Sequence, residues 1–379
     1  MNSINFAKTP GLYLHIPFCL SKCLYCDFYS STSISAVPDF LNGLSKEMEM
    51  VRNRFDPFDT VYIGGGTPSL LSSKQLENIL IRVRKNFDLI SNTEITIETN
   101  PADLDRSFLE SIREIGINRI NIGVQSFDEN VLGFLGRRHS IKQAISAIEA
   151  SRRAGFNNIG LDLIYGVPDQ NIDLWLDTLR QTIVFSPEHL SCYQLTLEAK
   201  TPLGIKCQAG EFYVPGEELQ YEFFMKTSEF LRDAGYIHYE VSNFARGIEH
   251  TSRHNQKYWD HSPFLGLGPS AHSFYGNQRW WNHRSLDQYF NAINGGNLPI
   301  EGKEILTMEQ LQLEALYLGL RTKRGVCLEE FKNQYDYDLF IEKKKLLVKL
   351  EEEGFISIED GYLYPTQRGF AIADSLSLI

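Results

Sequence analysis

Apolar positions along the first 245 residues fall into two kinds of run that alternate. Short β-rich stretches occupy 12–16, 60–63, 94–98, 119–124, 159–164 and 189–195. Between them, 76–87, 107–115, 141–154 and 172–184 repeat apolar residues every three or four positions, the period of an amphipathic helix. Strands separated by helices of that length imply right-handed βαβ units and a parallel sheet. Six units fall short of the eight of a closed barrel. The pattern therefore predicts an α/β fold, either a partial (β/α)6 barrel or an open doubly wound sheet.

Special residues gather where the predicted strands end. Cys19, Cys23 and Cys26 follow the first strand, and Gly64-Gly65-Gly66-Thr67-Pro68 follows the second. Glu98 ends the third, Gln125 ends the fourth, Asp162 sits in the fifth and Tyr193-Gln194 in the sixth. Parallel α/β folds build their sites at the carboxyl ends of strands, so one site assembled from six strands is expected.

The pattern changes after about residue 245. Residues 250–276 are rich in His, Gly, Ser, Trp and Tyr and suggest long loops, and 308–320 returns to helix. A helical run at 340–352, an apolar stretch at 355–358, a turn at Glu359-Asp360-Gly361 and Tyr362-Leu363-Tyr364 resemble a small winged-helix unit. Lys343, Lys344, Lys345 and Lys349 are balanced by Glu351, Glu352 and Glu353, which favours a structural or docking role over DNA binding. The expected division is 1–245 and 246–379, an α/β domain and an α+β one, as the 379-residue length also suggests.

Charge and cysteine usage narrow the chemistry. With 37 basic against 48 acidic side chains the net charge is −11, and no long Lys/Arg block is present, so a nucleic-acid partner is not expected. No apolar stretch approaches the roughly 18 residues of a membrane span, which points to a cytoplasmic chain. Three of the six cysteines crowd into Cys19-x3-Cys23-x2-Cys26, while Cys192, Cys207 and Cys327 are scattered and need only pack. Three thiolates on one tight loop ask for a metal. They suit either a zinc site completed by a fourth ligand such as His15, or a [4Fe–4S] cluster with one open iron. The spacing directly after a strand favours the cluster. Gly64–Pro68 lacks the ending of a phosphate-binding P-loop.

The CxxxCxxC spacing resembles that of radical S-adenosylmethionine (SAM) enzymes, in which the open iron is chelated by SAM. Electron transfer there splits SAM into methionine and a 5′-deoxyadenosyl radical. Ile97–Pro101, Gly123–Phe127 and 161–168 are similar to SAM-contacting segments of one subfamily, the oxygen-independent coproporphyrinogen III oxidases and related haem chaperones (the HemN/HemW family). The likeness runs from Tyr13-Leu14-His15-Ile16-Pro17-Phe18-Cys19 through Glu240–Phe244 and 266–272 into the C-terminal part. It implies that Tyr13, Tyr25, Gly65, Gly66, Thr67, Glu98, Gln125, Arg137 and Asp162 contact SAM, and that Cys19, Cys23 and Cys26 hold the cluster.

Two departures choose between the branches. The oxidases continue CxxxCxxCxC, whereas Phe28 stands here where their additional cysteine would be. Residues 254–259 match the HNxxYW signature of the chaperone branch, whose histidine is implicated as a haem ligand, which nominates His254. His254 alone would pass for an exposed loop residue; Tyr258 and Trp259 beside it offer a flat aromatic surface. His272 is a second candidate, and His250 and His261 are expected at the surface. The resemblance thus implies a haem chaperone with a [4Fe–4S] cluster and SAM, serving recipient haem proteins and an electron donor; a homodimer stays open. The alternative is the oxidase itself, decarboxylating coproporphyrinogen III.

Overall fold

Six strands repeat one alternation, apolar on one face and polar on the other. In the computed structural model, which describes residues 8–55 and 57–376, these are β1 (Gly11–Ile16), β2 (Phe58–Gly65), β3 (Leu89–Thr99), β4 (Arg119–Gln125), β5 (Ile159–Tyr165) and β6 (His189–Gln194). They lie parallel and in sequence order. Leu12, Leu14, Val61, Ile63, Ile97 and Ile122 lie on one face and are fully buried in a core they share with the covering helices. Each such side chain contributes about 1.5–3 kcal/mol. The opposite, concave face carries Tyr13, His15, Tyr62, Glu98, Asn121, Asp162 and Ser191. A slip of one residue would drive those groups against the helices, so the register is strongly specified.

The covering helices begin where their sequences supply caps. Ser73–Asn86 and Ile141–Arg153 each start with a reciprocal capping box, Ser72 with Gln75 and Ser140 with Gln143. These boxes satisfy backbone N–H groups that the first helical turn leaves without partners.

The sheet does not stop at residue 245. β7 (Ile237–Glu240) and β8 (Asn243–Ala245) extend it antiparallel beyond β6, and β9 (Phe264–Leu267) pairs parallel with β1, Gly11 opposite Phe264 and Leu14 opposite Leu267. β10 (His272–Tyr275), β11 (Gln278–Asn282) and β12 (Ile300–Ile305) follow antiparallel. The order is β12-β11-β10-β9-β1-β2-β3-β4-β5-β6-β8-β7, a partial barrel whose two edge strands do not pair with each other. Residues 250–276, expected as long loops, instead hold the helix Arg253–Trp259 and two strands. That helix is short and its backbone N–H groups at 253 and 254 donate to the Glu94 carboxylate, a stabilisation that the local sequence does not announce.

A second apolar core gathers Leu306, Leu311, Leu320, Phe331, Leu347 and Leu363. It carries a three-stranded sheet of β13 (Val326–Cys327), β14 (Ile356–Glu359) and β15 (Tyr362–Pro365) in the order β13-β15-β14. The helix expected at 340–352 divides into Leu339–Glu342 and Lys344–Glu352, with Lys343 non-helical between them. Among the described residues no helix is long and apolar enough to cross a membrane.

Candidate functional site

The three clustered cysteines leave the carboxyl end of β1 on one loop; all are free thiols and half-buried. The loop is stitched to the glycine turn after β2: Gly66 N–H donates to Ile16 O (2.9 Å) and Thr67 N–H to Phe18 O (2.7 Å). The Thr67 hydroxyl reaches Cys19 Sγ at 3.4 Å, and Arg137 Nη1 reaches Cys23 Sγ at 3.3 Å. Arg137 also donates from Nη2 to Gly123 O (2.7 Å) and bonds the Tyr25 hydroxyl, while its Nε is buried without a partner. Burial pushes the Tyr25 phenol up, against the pull of Arg137. Burial likewise raises the Cys26 thiol, with its neighbouring thiols adding to the shift.

The glycine turn is bare because its neighbours demand it. A Cβ on Gly66 would lie 2.6 Å from Phe18 O, and one on Gly65 would lie 2.7 Å from the His15 ring. Gly65 also has φ of 110°, which L side chains rarely adopt. Gly65 N–H donates to Glu98 Oε2 (3.1 Å) and the Tyr62 hydroxyl to Glu98 Oε1 (2.8 Å). Burial pushes the Glu98 carboxyl up to about 7, opposed by the bond from Tyr62.

Gln125, beside a register shift in β4, holds a left-handed φ of 64°, rare for a residue with a Cβ, and a Cβ on Gly123 would meet its Nε2 at 2.9 Å. Asp162 lies opposite Gly123, accepts from Asn121 Nδ2 (3.1 Å) and bonds Ser191; burial raises it to about 6. Cysteines, Thr67, Tyr25, Arg137, Gln125, Gly65, Gly66, Glu98 and Asp162 thus share one end of the barrel. Tyr13 lies below them, its ring 6.1 Å from Tyr62 and its hydroxyl 3.1 Å from His15 Nδ1. Tyr62, Asn121 and Ser191 were not singled out by sequence reasoning; the period-2 alternation of their strands is the signal that places them on the site's face.

His15 does not complete a mononuclear site. Its Nε2 donates to Tyr29 O at 2.9 Å, and among the described residues no three His, Cys, Asp or Glu side chains converge closely enough for one metal ion. A soft tri-thiol set flanked by hydrogen-bond donors to sulfur suits an iron–sulfur cluster.

His254 lies elsewhere. It is 1% exposed on the helix Arg253–Trp259, not in an exposed loop, and that helix fills the amino end of the barrel. Its Nδ1 bonds Thr60 Oγ1 (2.8 Å), its Nε2 bonds the Tyr258 hydroxyl (2.9 Å), and its ring stacks on Tyr62 at 5.1 Å. Burial, helped by Lys257, lowers it to about 3, so it is neutral. His261, expected at the surface, is also buried, whereas His272 is exposed.

Two family models match the chain, the radical SAM superfamily over residues 13–182 and the HemN C-terminal domain over 306–372. "Heme chaperone HemW" of Synechocystis sp. is 35% identical over 365 residues, covering 93% of this chain and 87% of that protein. Its counterpart in Bacillus subtilis is 33% identical over 363 residues, covering 94% and 95%. The chain belongs to the HemW family. The solved coproporphyrinogen III oxidase (HemN) from Escherichia coli superposes with a TM-score of 0.84 at 24% identity, over 98% of this chain and 89% of that one, and shares the fold. In this HemW-family chain Phe28 is 70% exposed beside the cysteine loop.

Proposed function

We propose that this chain is a haem chaperone that binds haem and hands it to haem-requiring proteins, with a [4Fe–4S] cluster on Cys19, Cys23 and Cys26 and SAM beside it. The observation that carries the reading is membership of the HemW family along nearly the whole chain, cysteine loop and C-terminal unit together. The cluster and SAM, when bound, supply one-electron reduction of a sulfonium. The protein's own part is positional. Thr67 and Arg137 donate to cysteine sulfur and stabilise its negative charge. Glu98 and Asp162 are acceptors suited to ribose hydroxyls or an ammonium group, Gln125 offers both donor and acceptor, and the Arg137 fork suits a carboxylate. Tyr13 and Tyr25 supply ring surface, and Gly65 and Gly66 bare backbone. His254, the residue nominated for haem iron, must release Thr60 or Tyr258 before a ring nitrogen becomes available.

Anaerobic reconstitution is expected to give about four irons with labile sulfide per chain, and Cys23→Ser to lose them. One zinc without sulfide would sink the cluster. Incubated with coproporphyrinogen, SAM and reductant, the reconstituted protein should form no protoporphyrinogen but should pass haem to an apo-haemoprotein. Protoporphyrinogen formation would establish the oxidase instead.

A further inference from the structure

The helix Arg253–Trp259 is seated on the barrel by polar groups rather than by an apolar face. Its buried side chains are His254 and Lys257, with Tyr258 and Trp259 half-buried. The covering helix Ser73–Asn86, by comparison, buries Leu76, Ile79, Leu80 and Val83. The ties come from the strands beneath. Asp59 of β2 pairs with Lys257 Nζ at 2.7 Å and with Arg253 Nη2 at 3.3 Å. The Glu94 carboxylate accepts from the backbone N–H groups of Arg253 (3.4 Å) and His254 (3.2 Å), and Asn92 O accepts from Arg253 Nη1 (2.9 Å). Gly11 leaves the room for this seat, since a Cβ there would stand 2.8 Å from Lys257 Cδ and 3.1 Å from His254 Cε1.

In that seat His254 cannot ligate iron. Both ring nitrogens are engaged, by Thr60 and Tyr258, and the residue is 1% exposed. A segment fastened by ion pairs and hydrogen bonds, with few buried apolar contacts of its own, opens at lower free energy than the sheet it covers. β9 holds its own register on β1, from Gly11 opposite Phe264 to Leu14 opposite Leu267, so the barrel wall stays in place when the helix leaves. At 3.6 residues per turn, Gln256 and Trp259 fall on the side of the helix opposite His254 and Lys257. There, together with His261, they line a cleft of about 1330 Å³ shared with the C-terminal unit, which leaves the helix room to move.

We propose that this arrangement is the closed state of a gate and that Asp59 is the positioning residue that latches it: haem gains the His254 ring when the helix lifts from Asp59 and Glu94 toward the cleft, releasing Thr60 and Tyr258. The inference rests on the haem-chaperone reading and assigns a regulation to its iron ligand. Closed and open states compete, so the apparent affinity for haem is the intrinsic one reduced by the open fraction. Weakening the latch therefore tightens haem binding. Damage to a residue that merely supports a binding site does the reverse.

Optical titration of the reconstituted full-length chain with ferric haem, alongside hydrogen exchange of the haem-free chain, tests the gate. Asp59→Asn removes the charge facing Lys257 and Arg253. It is expected to quicken exchange at residues 253–259 and to tighten apparent haem binding roughly tenfold, with the Soret band unmoved. Thr60→Val, similar in shape but without the bond to His254 Nδ1, should act in the same direction by about threefold. His254→Ala should shift the Soret band, alone and combined with Asp59→Asn. Binding no tighter than wild type in both latch variants, with the His254→Ala shift intact, overturns the gate and leaves the haem reading standing. Should Asp59→Asn fail to fold, Thr60→Val decides. A His254→Ala spectrum identical to wild type removes the ligand that the gate controls, and a wild type that takes up no haem removes the haem-chaperone reading itself.

Discussion

At 2% exposure the Glu47 carboxyl accepts from Gly268 N–H (2.9 Å), Asn282 Nδ2 (2.6 Å) and the Tyr289 hydroxyl (2.7 Å), and so ties the helix Val37–Val51 to the strands that follow residue 245. Burial still prevails over those bonds and pushes the group up to about 7. An acid whose folded value is raised holds its proton more tightly when folded. Its contribution to stability is complete below about 4.5, its value when unfolded, and is lost as pH rises through about 7. The loss amounts to about 3 kcal/mol at about 1.4 kcal/mol per pH unit. Glu98, Glu240 and Asp162 are raised in the same direction, so the informative quantity is the difference between wild type and Glu47→Gln. In urea melts that difference should move against the wild type between pH 5 and pH 8; a constant difference would show Glu47 silent. At this scale the site was legible where spacing or strand-end position marks a residue, as for the cysteines, Glu98 and Asp162. The committed nitrogens of His254 were not, because one of them depends on Thr60, which local sequence does not bring near.

The turn after β2 and the loop after β1 behave as one element, since two backbone hydrogen bonds join them and no side chain intervenes. A methyl at Gly66 meets the backbone oxygen and nitrogen of Phe18 at 2.6 and 2.9 Å, which cannot yield as a flexible side chain would. Gly66→Ala is therefore expected to cost about 1–3 kcal/mol and to lower iron incorporation on reconstitution. Gly133→Ala, in the helix Glu129–Leu135 with nothing within 4 Å of the new methyl, is the control. It should leave iron content alone and stabilise by about 0.5–1 kcal/mol. Equal iron content in both variants would mean that the glycine turn does not shape the cysteine loop. The helix Arg253–Trp259 is not specified by its own residues. Seven residues make a marginal helix by themselves. It is held by the Ser252 cap, by Glu94 and by the Lys257–Asp59 ion pair at 2.7 Å, two of which come from another part of the chain.

For the whole molecule, the change of pattern near residue 245 does not separate two cores. Leu265 and Leu267 of β9 are 2% and 1% exposed in the same core as β1 and β2, and β1 lies between β2 and β9. A fragment ending at residue 245 would leave β1 as an unpaired edge and empty the amino end of the barrel of His254. Such a fragment is expected to aggregate or to bind hydrophobic dye without a cooperative melt. A soluble 1–245 fragment that unfolds cooperatively would contradict this. The amino-acid sequence by itself determined the kinds of element, the parallel βαβ order, the cysteine loop and glycine turn, and the family to which they point, because periodicity and spacing act within a few turns of chain. Only the tertiary structure decided that β9 completes the sheet, that His254 faces inward, and that Trp259 and His261 line a cleft with the C-terminal unit. Those outcomes rest on pairings such as Gly11 with Phe264 and Thr60 with His254, whose partners are far apart in the chain and whose register the packed core selects.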